Sequence, residues 1–163
     1  MSTQQRMELK FDSFDEVLAE VERLQKDGYQ QLGKWNLSQT CRHLNDWMTF
    51  PLDGFPKPPL PIQWMLTLMK VTFGKRKFKQ MLESGSMAPG LPTMPQTVYQ
   101  PDVDDAPAID QFRKTVIRMR DHRGPVIPSP LFGAMDLESA HRLQLIHCAH
   151  HLGFLVPRDV KAA

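Results

Sequence analysis

Hydrophobic residues recur at helical spacing in separate blocks of the chain, and the first block predicts a helix near the amino terminus. Ser13 and Glu16 form a capping box, in which the serine caps the glutamate amide and the glutamate reaches back. Gly28 ends the pattern. The apolar side of this helix consists of Phe14, Val17, Leu18, Val21 and Leu24. Since these positions share one helical face, we expect that face to enter the core.

A second block predicts a helix that begins at Asn36, with Gln39 three residues later as the partner of the cap. Its apolar side consists of Leu37, Cys41, Leu44 and Met48. His43 and Trp47 lie one turn apart on an adjoining side. Pro51 and Gly54 lie where this helix is expected to end, since proline and glycine disfavour a helix interior.

Proline-rich stretches separate the next helical block from its neighbours. Residues 56–61 are expected to be extended, because proline restricts both its own backbone and that of the preceding residue. A helix is predicted over 62–82, with Gly74 as a break inside it. Residues 84–102 are rich in glycine and proline and predict a loop.

Two further helices complete the pattern. The first has an apolar side of Ile109, Phe112, Val116 and Met119, and it ends at Gly124-Pro125. Asp136 caps the last helix, which is predicted to run to about Val156 and to stop before Pro157. No alternating run is long enough to predict a sheet. These blocks predict an all-α domain over 1–163, a four-helix bundle with an additional inserted helix between helices two and three.

Composition narrows the class of protein without naming a function. Hydrophobic residues make up 41% of the 163 residues and charged residues 23%, which is typical of one globular domain. Two cysteines and a polar amino terminus favour the cytoplasm. A net charge of +2 does not by itself indicate a nucleic-acid or membrane partner, and no apolar stretch is long enough for a membrane span. The basic run formed by Lys70 and residues 75–79 is interpreted as a solvated face, with binding of nucleic-acid phosphates as the alternative.

Histidines supply the candidate chemistry. His147 and His151 are four residues apart on the last helix, the spacing at which one helix presents two nitrogens to one metal. His43 is the candidate third ligand if its helix faces the last one, and zinc, nickel or iron would accept such a set. Metal affinity is then expected to fall below about pH 6.5, because protonated imidazole does not coordinate. Histidine pairs at this spacing are also common as solvated residues or as hydrogen-bonded core residues.

Four residues near these histidines are candidates for hydrogen-bonding to the ligands or for lining a pocket: Asp46, Trp47, Gln144 and His150. Asp46 fits a hydrogen-bond acceptor for a ligating histidine, a general base or an ordinary surface charge. His150 points away from the pair by about 100° of helical turn. Cys41 and Cys148 are interpreted as buried small apolar residues. The tryptophans at 35, 47 and 64 are interpreted as core or pocket wall. The methionines at 65, 69 and 81 are interpreted as packing, with a surface for apolar ligands as the alternative.

The stretches Trp35-Asn-Leu-Ser-Gln-Thr-Cys-Arg-His43-Leu44 and His147-Cys-Ala-His-His151-Leu-Gly153 together resemble the DinB-like family. Ser129-Pro-Leu-Phe-Gly133 is similar to one branch of that superfamily, catalogued as a domain of unknown function. The resemblance implies a four-helix bundle, commonly dimeric, with a divalent metal held by His43, His147 and His151. It also implies a link to transfer reactions that use low-molecular-weight thiols.

The function expected from these observations is that of a metal-binding helical bundle. It would act on a small molecule as a metal-dependent thiol transferase or hydrolase. The alternative is a non-catalytic small-ligand binding or sensing module of the same fold. The expected partners are a small-molecule substrate or thiol and a second copy of the chain in a homodimer, with neither nucleic acid nor membrane.

Overall fold

The computed structural model describes residues 6–88 and 93–158. Most of the described residues are helical, and two short strands pair with each other. In chain order the elements are α1 (Phe14–Asp27), β1 (Tyr29–Gln31), α2 (Leu37–Asp53), α3 (Leu60–Met69), α4 (Lys75–Ser84), α5 (Ala106–Asp121), α6 (Leu137–Leu152) and β2 (Leu155–Pro157). A π-helical segment, Lys70–Gly74, joins α3 to α4, and a 3₁₀ turn, Pro95–Thr97, precedes α5. The mainly helical class predicted from the sequence is confirmed.

The helix starts follow the predicted caps. The Ser13 side chain accepts a hydrogen bond from the Glu16 amide at 3.3 Å. The Asn36 side chain accepts one from the Gln39 amide at 3.0 Å, and the Gln39 side chain accepts one from the Asn36 amide. The Asp136 carboxylate accepts the amide three residues on at 2.7 Å. These bonds satisfy amides that the first turn of a helix leaves without a partner, so each helix begins where its cap lies.

Helices α1, α2, α5 and α6 enclose one hydrophobic core. Helices α1 and α2 each pack against both α5 and α6. The apolar sides predicted for α1, α2 and α5 face this core, and all of their residues are buried except Leu18, which is half-buried. The side chains with the least exposure include Val17, Leu24, Leu37, Leu44, Met48, Phe112 and Val116. This packing brings α2 and α6 into contact, and both helices carry candidate histidines.

The carboxyl end of the chain differs from the prediction in two ways. Helix α6 ends at Leu152, four residues before Val156, and β2 then pairs antiparallel with β1, with Tyr29 opposite Pro157. The expectation of no sheet is therefore wrong. Each strand has three residues, too few to show alternation, and the pairing joins distant parts of the sequence. At Gly153 a Cβ would lie 2.5 Å from the Met7 carbonyl oxygen, so the chain leaves the helix where another segment crosses it.

The inserted helix is also divided differently from the prediction. Gly74 does not end a helix; it ends a π-helical segment that continues directly into α4. A Cβ at Gly74 would lie 2.2 Å from the Leu131 carbonyl oxygen, so this position requires glycine for a close approach. Leu131 belongs to the turn that Ser129 and Gly133 close with two backbone hydrogen bonds, of 2.9 and 2.8 Å.

That turn contains the Ser-Pro-Leu-Phe-Gly motif, and it supports the inserted helix. The Phe132 ring stacks on Phe78 of α4 with centroids 5.5 Å apart, and Met81 of α4 is buried. Helix α3 has no such support. Trp64 is 78% exposed, and Met65 and Met69 are also exposed, so their interpretation as core, pocket wall or packing is wrong. Within the described part of the chain, no helix combines the length and the apolar character needed to cross a membrane.

Candidate metal centre

Helix α2 presents His43 toward α6, where His147 and His151 lie one turn apart. The Nε2 atoms of His43 and His147 are 3.3 Å apart. One ligand nitrogen from each of the three residues can be chosen so that all lie within 4.8 Å of one another. The structure thus brings together the three histidines that the sequence singled out, in an arrangement that could hold a metal ion.

Thr97 determines which nitrogen of His43 is free. The Nδ1 atom of His43 lies 3.1 Å from both the carbonyl oxygen and the hydroxyl oxygen of Thr97. The hydroxyl itself donates to the Met94 carbonyl at 2.9 Å, and a carbonyl only accepts. Nδ1 must therefore carry the proton, which leaves the Nε2 lone pair facing His147. A hydrogen bond from the second ring nitrogen to a carbonyl is typical of metal-ligating histidines.

Burial keeps the three imidazoles neutral. Desolvation lowers the pKa of His43 to about 4, although the bond to Thr97 acts in the opposite direction. Desolvation, assisted by the neighbouring histidines, lowers the pKa of His151 to about 2 and holds the pKa of His147 well below its ordinary value. Neutral imidazole is the form that binds metal, so the metal-free cluster is ready to coordinate well below pH 6.5. Metal affinity is therefore expected to fall only at a pH lower than the value of about 6.5 that applies to exposed histidines.

Two tryptophans enclose the cluster. The Trp35 ring is stacked on His151, with centroids 5.3 Å apart and planes 11° from parallel, and its centroid lies 4.8 Å from that of His43. Trp47 packs edge-on against His147 at 5.8 Å. The pocket-wall interpretation therefore suits Trp35 and Trp47. Such apolar walls exclude water from one side of the imidazoles and strengthen their interaction with a bound cation.

Polar atoms beside the cluster have no partner in the described part of the chain. Trp47 Nε1 and Gln144 Oε1 are both buried without a hydrogen bond there. The other amide atom of Gln144, Nε2, donates to the Trp47 carbonyl at 3.1 Å. Buried polar groups usually find partners, and unpaired ones often mark the place of a water or ligand. The residues around the histidines therefore fit a site that binds more than protein atoms.

The other two candidates lie at the edge of this site. Asp46 accepts a hydrogen bond from the Tyr99 hydroxyl at 2.5 Å, and among the described residues no hydrogen bond joins it to the histidines. Burial raises the pKa of Asp46, and the hydrogen bond from Tyr99 offsets part of that change. His150 packs edge-on against His151 at 4.9 Å, while its Nδ1 lies 3.1 Å from the Met87 carbonyl oxygen.

The cysteines lie within the core, as their interpretation requires. Cys41 and Cys148 are free and fully buried. Burial raises the pKa of both thiols, so neither is a reactive thiolate at neutral pH. Thiol chemistry in this protein would therefore need a thiol from solution.

Thr97 is the functional residue that the sequence did not indicate. It lies in the 3₁₀ turn inside the stretch predicted as loop over 84–102, 54 residues from the histidine it orients. No local sequence pattern indicates that this threonine bonds to a histidine on a distant helix. Trp35 carries a weak signal, since it leads the motif that ends in His43.

The comparisons with known proteins identify a family but no activity. No curated protein and no solved structure matches the chain. The family described as "Protein of unknown function (DUF1569)" matches it over residues 3–158. That description names no reaction or ligand, so the chemistry has to be argued from the histidines and their surroundings. Because the match covers nearly the whole length, the chain belongs to this family of unknown function.

Proposed function

We propose that the protein binds one divalent metal ion through His43, His147 and His151 and acts on a small molecule. The observation that carries the proposal is a trio of neutral, desolvated imidazoles with ligand atoms within 4.8 Å of one another. Three protein ligands leave at least one coordination position open, which is the usual difference between catalytic and closed structural sites. Zinc, nickel and iron all accept nitrogen donors of this kind.

A bound ion would supply Lewis-acid activation of a thiol or of water at neutral pH. The side chains supply the rest: Thr97 keeps the His43 Nε2 lone pair available, and Trp35 and Trp47 limit access of water. In the transferase form of the proposal, the sulfur of a small thiol bonds to an electrophilic carbon. The leaving group departs with its bonding electrons, and the thiol proton passes to solvent. In the hydrolase form, water takes the place of the thiol.

We assign the chain to the DinB-like superfamily as a four-helix bundle that forms a homodimer. Support comes from four helices around one core, with one ligand on the second helix and two on the last. This arrangement agrees with the ligand positions that the resemblance implies.

The alternative is a binding or sensing module in which the metal holds a ligand without turnover. One observation favours it: the candidate base, Asp46, is already engaged by Tyr99 and has no hydrogen bond to the three histidines within the described ranges. A metal-dependent rise in melting temperature without turnover of any thiol or hydrolysable substrate would support this second function.

The deciding experiment is metal analysis of untagged protein by mass spectrometry, on the parent and on His43→Ala and His147→Ala. His150→Ala is the matched control, because His150 contacts the site without belonging to the trio. We expect about one equivalent of metal in the parent and in the control, and little in the other two variants. Absence of metal in the parent after reconstitution with zinc, nickel and iron in turn would contradict the proposal.

The reaction is tested separately, with the metal-loaded parent and a panel of small thiols and electrophiles. Consumption of thiol that stops when the ion is removed and returns when it is restored would support the transferase form. Consumption that survives complete removal of metal would contradict it.

A further inference from the structure

Helix α3 and the π-helical segment after it form an apolar projection, residues 60–73. Six of its apolar side chains are each more than half exposed: Leu60, Trp64, Met65, Leu68, Val71 and Phe73. No residue of α3 is buried, and its main packing partner is the π-helical segment that continues it. Large apolar surfaces that stay exposed usually mark a contact with something outside the chain.

The exposed apolar side chains do not form one narrow stripe. At about 100° per residue, Leu60, Ile62, Trp64 and Met65 spread over roughly 200° of the α3 circumference. A helix that covers a flat protein surface needs only one apolar face, whereas a helix that is apolar on most sides is usually surrounded. The projection therefore fits an environment that encloses it.

The charge of this region identifies that environment. Residues 54–82 contain six lysines and arginines and no acidic residue, which leaves 14 basic and 18 acidic residues in the rest of the chain. Four of the six, Lys75, Arg76, Lys77 and Lys79, are exposed on α4 directly after the projection. Within the described residues, only Lys79 among these four forms an ion pair, with Glu83 at 3.7 Å. The partner should be apolar inside and negative at its surface.

We propose that the apolar projection and the basic start of α4 dock the protein on the surface of an anionic lipid bilayer. The apolar projection would enter the acyl region, which surrounds it, while the basic side chains of α4 remain at the phosphate groups. Phe78 and Met81 hold α4 on the body of the protein, so the basic residues stay beside the projection. The expectation of no membrane partner was based on the near-balanced net charge and on the lack of a membrane-spanning stretch. It took into account neither the exposure of α3 nor the concentration of positive charge beside it.

A second copy of the chain is a less suitable partner. Pairing two projections would bring two segments of six positive charges together without an acidic residue between 54 and 82 to offset them. Like charges at close range disfavour an interface, whereas anionic headgroups attract both the lysines and the arginine. Charge thus favours the bilayer over a second copy as the partner of the projection, and it does not bear on a homodimer formed through another surface.

The test is flotation of the full-length protein with phosphatidylcholine vesicles and with mixed phosphatidylcholine–phosphatidylglycerol vesicles. Binding is expected with the mixed vesicles only, and it should weaken as salt rises because exposed charges are screened. Trp64 is the exposed tryptophan, so the emission of the protein should also shift to shorter wavelength on binding.

Two pairs of variants separate the apolar and the charged contributions. Trp64→Ser with Leu68→Ser should weaken vesicle binding by about tenfold or more, because both side chains would lose apolar burial. Val103→Ser is its control, since Val103 is fully exposed elsewhere. Lys75→Gln with Lys77→Gln should also weaken binding by about tenfold or more. Lys34→Gln with Lys114→Gln removes the same charge from other exposed positions and should have little effect.

Circular dichroism of each variant establishes that its helices are intact. Failure of the parent to bind the mixed vesicles would overturn the proposal, and so would equal binding by Lys75→Gln/Lys77→Gln. Sedimentation equilibrium tests the competing occupant. A dimer that is lost in Trp64→Ser/Leu68→Ser, without binding to any vesicle, would assign the projection to a second copy instead.

Discussion

The histidine cluster and the apolar projection depart from ordinary burial in opposite directions. At the cluster, titratable side chains lie where apolar ones are expected, with His43 only 2% exposed. On the projection, a tryptophan and several aliphatic side chains lie where polar ones are expected. Burial of the imidazoles costs stability in the isolated chain, and exposure of the apolar side chains forgoes the stabilisation that their burial would give. These departures are the basis of the two proposals, which are binding of an ion inside the helices and docking on a surface outside them.

The largest expected effect concerns the cluster. Adding the preferred ion at about 1,000 times its dissociation constant should raise the free energy of unfolding by about 4 kcal/mol, because the ion binds the folded chain. Differential scanning fluorimetry with zinc, nickel and iron measures this as a rise in melting temperature. His147→Ala should lose the rise and His150→Ala should keep it. If no ion moves the melting temperature of the parent, the cluster is a structural feature without a metal.

The second effect is the cost of keeping the histidines neutral. The pKa of His43 is about 4 in the folded protein, against 6.5 ordinarily. Between these values the unfolded chain binds a proton that the folded chain does not, so stability is full above pH 6.5 and falls as the pH drops. His43 alone should account for about 3 kcal/mol by pH 4. Urea unfolding of metal-free protein at several pH values measures the slope. His43→Gln should make the slope shallower without abolishing it, because His147 and His151 also have lowered pKa values. The same slope in both proteins would contradict this assignment.

A smaller effect is expected at Thr97. Thr97→Val removes the hydroxyl acceptor from His43 Nδ1 but keeps the carbonyl acceptor, so the free nitrogen stays the same. Metal affinity should fall only severalfold, corresponding to about 1 kcal/mol for one hydrogen bond. Competition with a chelator of known affinity measures the change. A loss as large as that of His43→Ala would mean that the hydroxyl, rather than the carbonyl, orients the ring.

The smallest effect is expected on the projection. Trp64→Ser should change the free energy of unfolding by no more than about 0.5 kcal/mol, because the side chain is 78% exposed. Leu44→Ala, at a fully buried position of α2, should cost about 2–5 kcal/mol and serves as the contrast. Urea unfolding measures both. A cost for Trp64→Ser near that of Leu44→Ala would mean that the projection is packed in solution.

Features that depend on neighbours along the chain could be predicted from the sequence. Capping is local, so the starts of α1, α2 and α6 follow from Ser13, Asn36 and Asp136. The approach of His147 to His151 follows from helical spacing alone. His43 is different, because its place depends on how α2 packs against α6. The resemblance to the DinB-like family implies that His43 joins His147 and His151. Periodicity supports this only on the condition that α2 faces α6.

Features that depend on distant contacts could not be predicted in this way. The bond from His43 to Thr97 and the pairing of β1 with β2 join segments that carry no mark of each other. For Trp64 the helix itself was predicted correctly, but the exposure of its side chain was not. A run of apolar residues at helical spacing gives the same pattern whether the helix is enclosed by its own chain or by something else. Sequence pattern indicates that such a helix needs an apolar environment but does not say which molecule provides it.

The close approach of Gly74 to Leu131 affects the orientation of the whole apolar projection. A hydrogen atom, in place of a methyl group, is what lets the backbone rest against the Leu131 carbonyl. Trp64 lies ten residues before that contact, about 15 Å along a helix. A tilt of about 10° at the glycine would therefore carry the indole through roughly 3 Å. The direction in which the projection points is thus set by the smallest side chain in the segment.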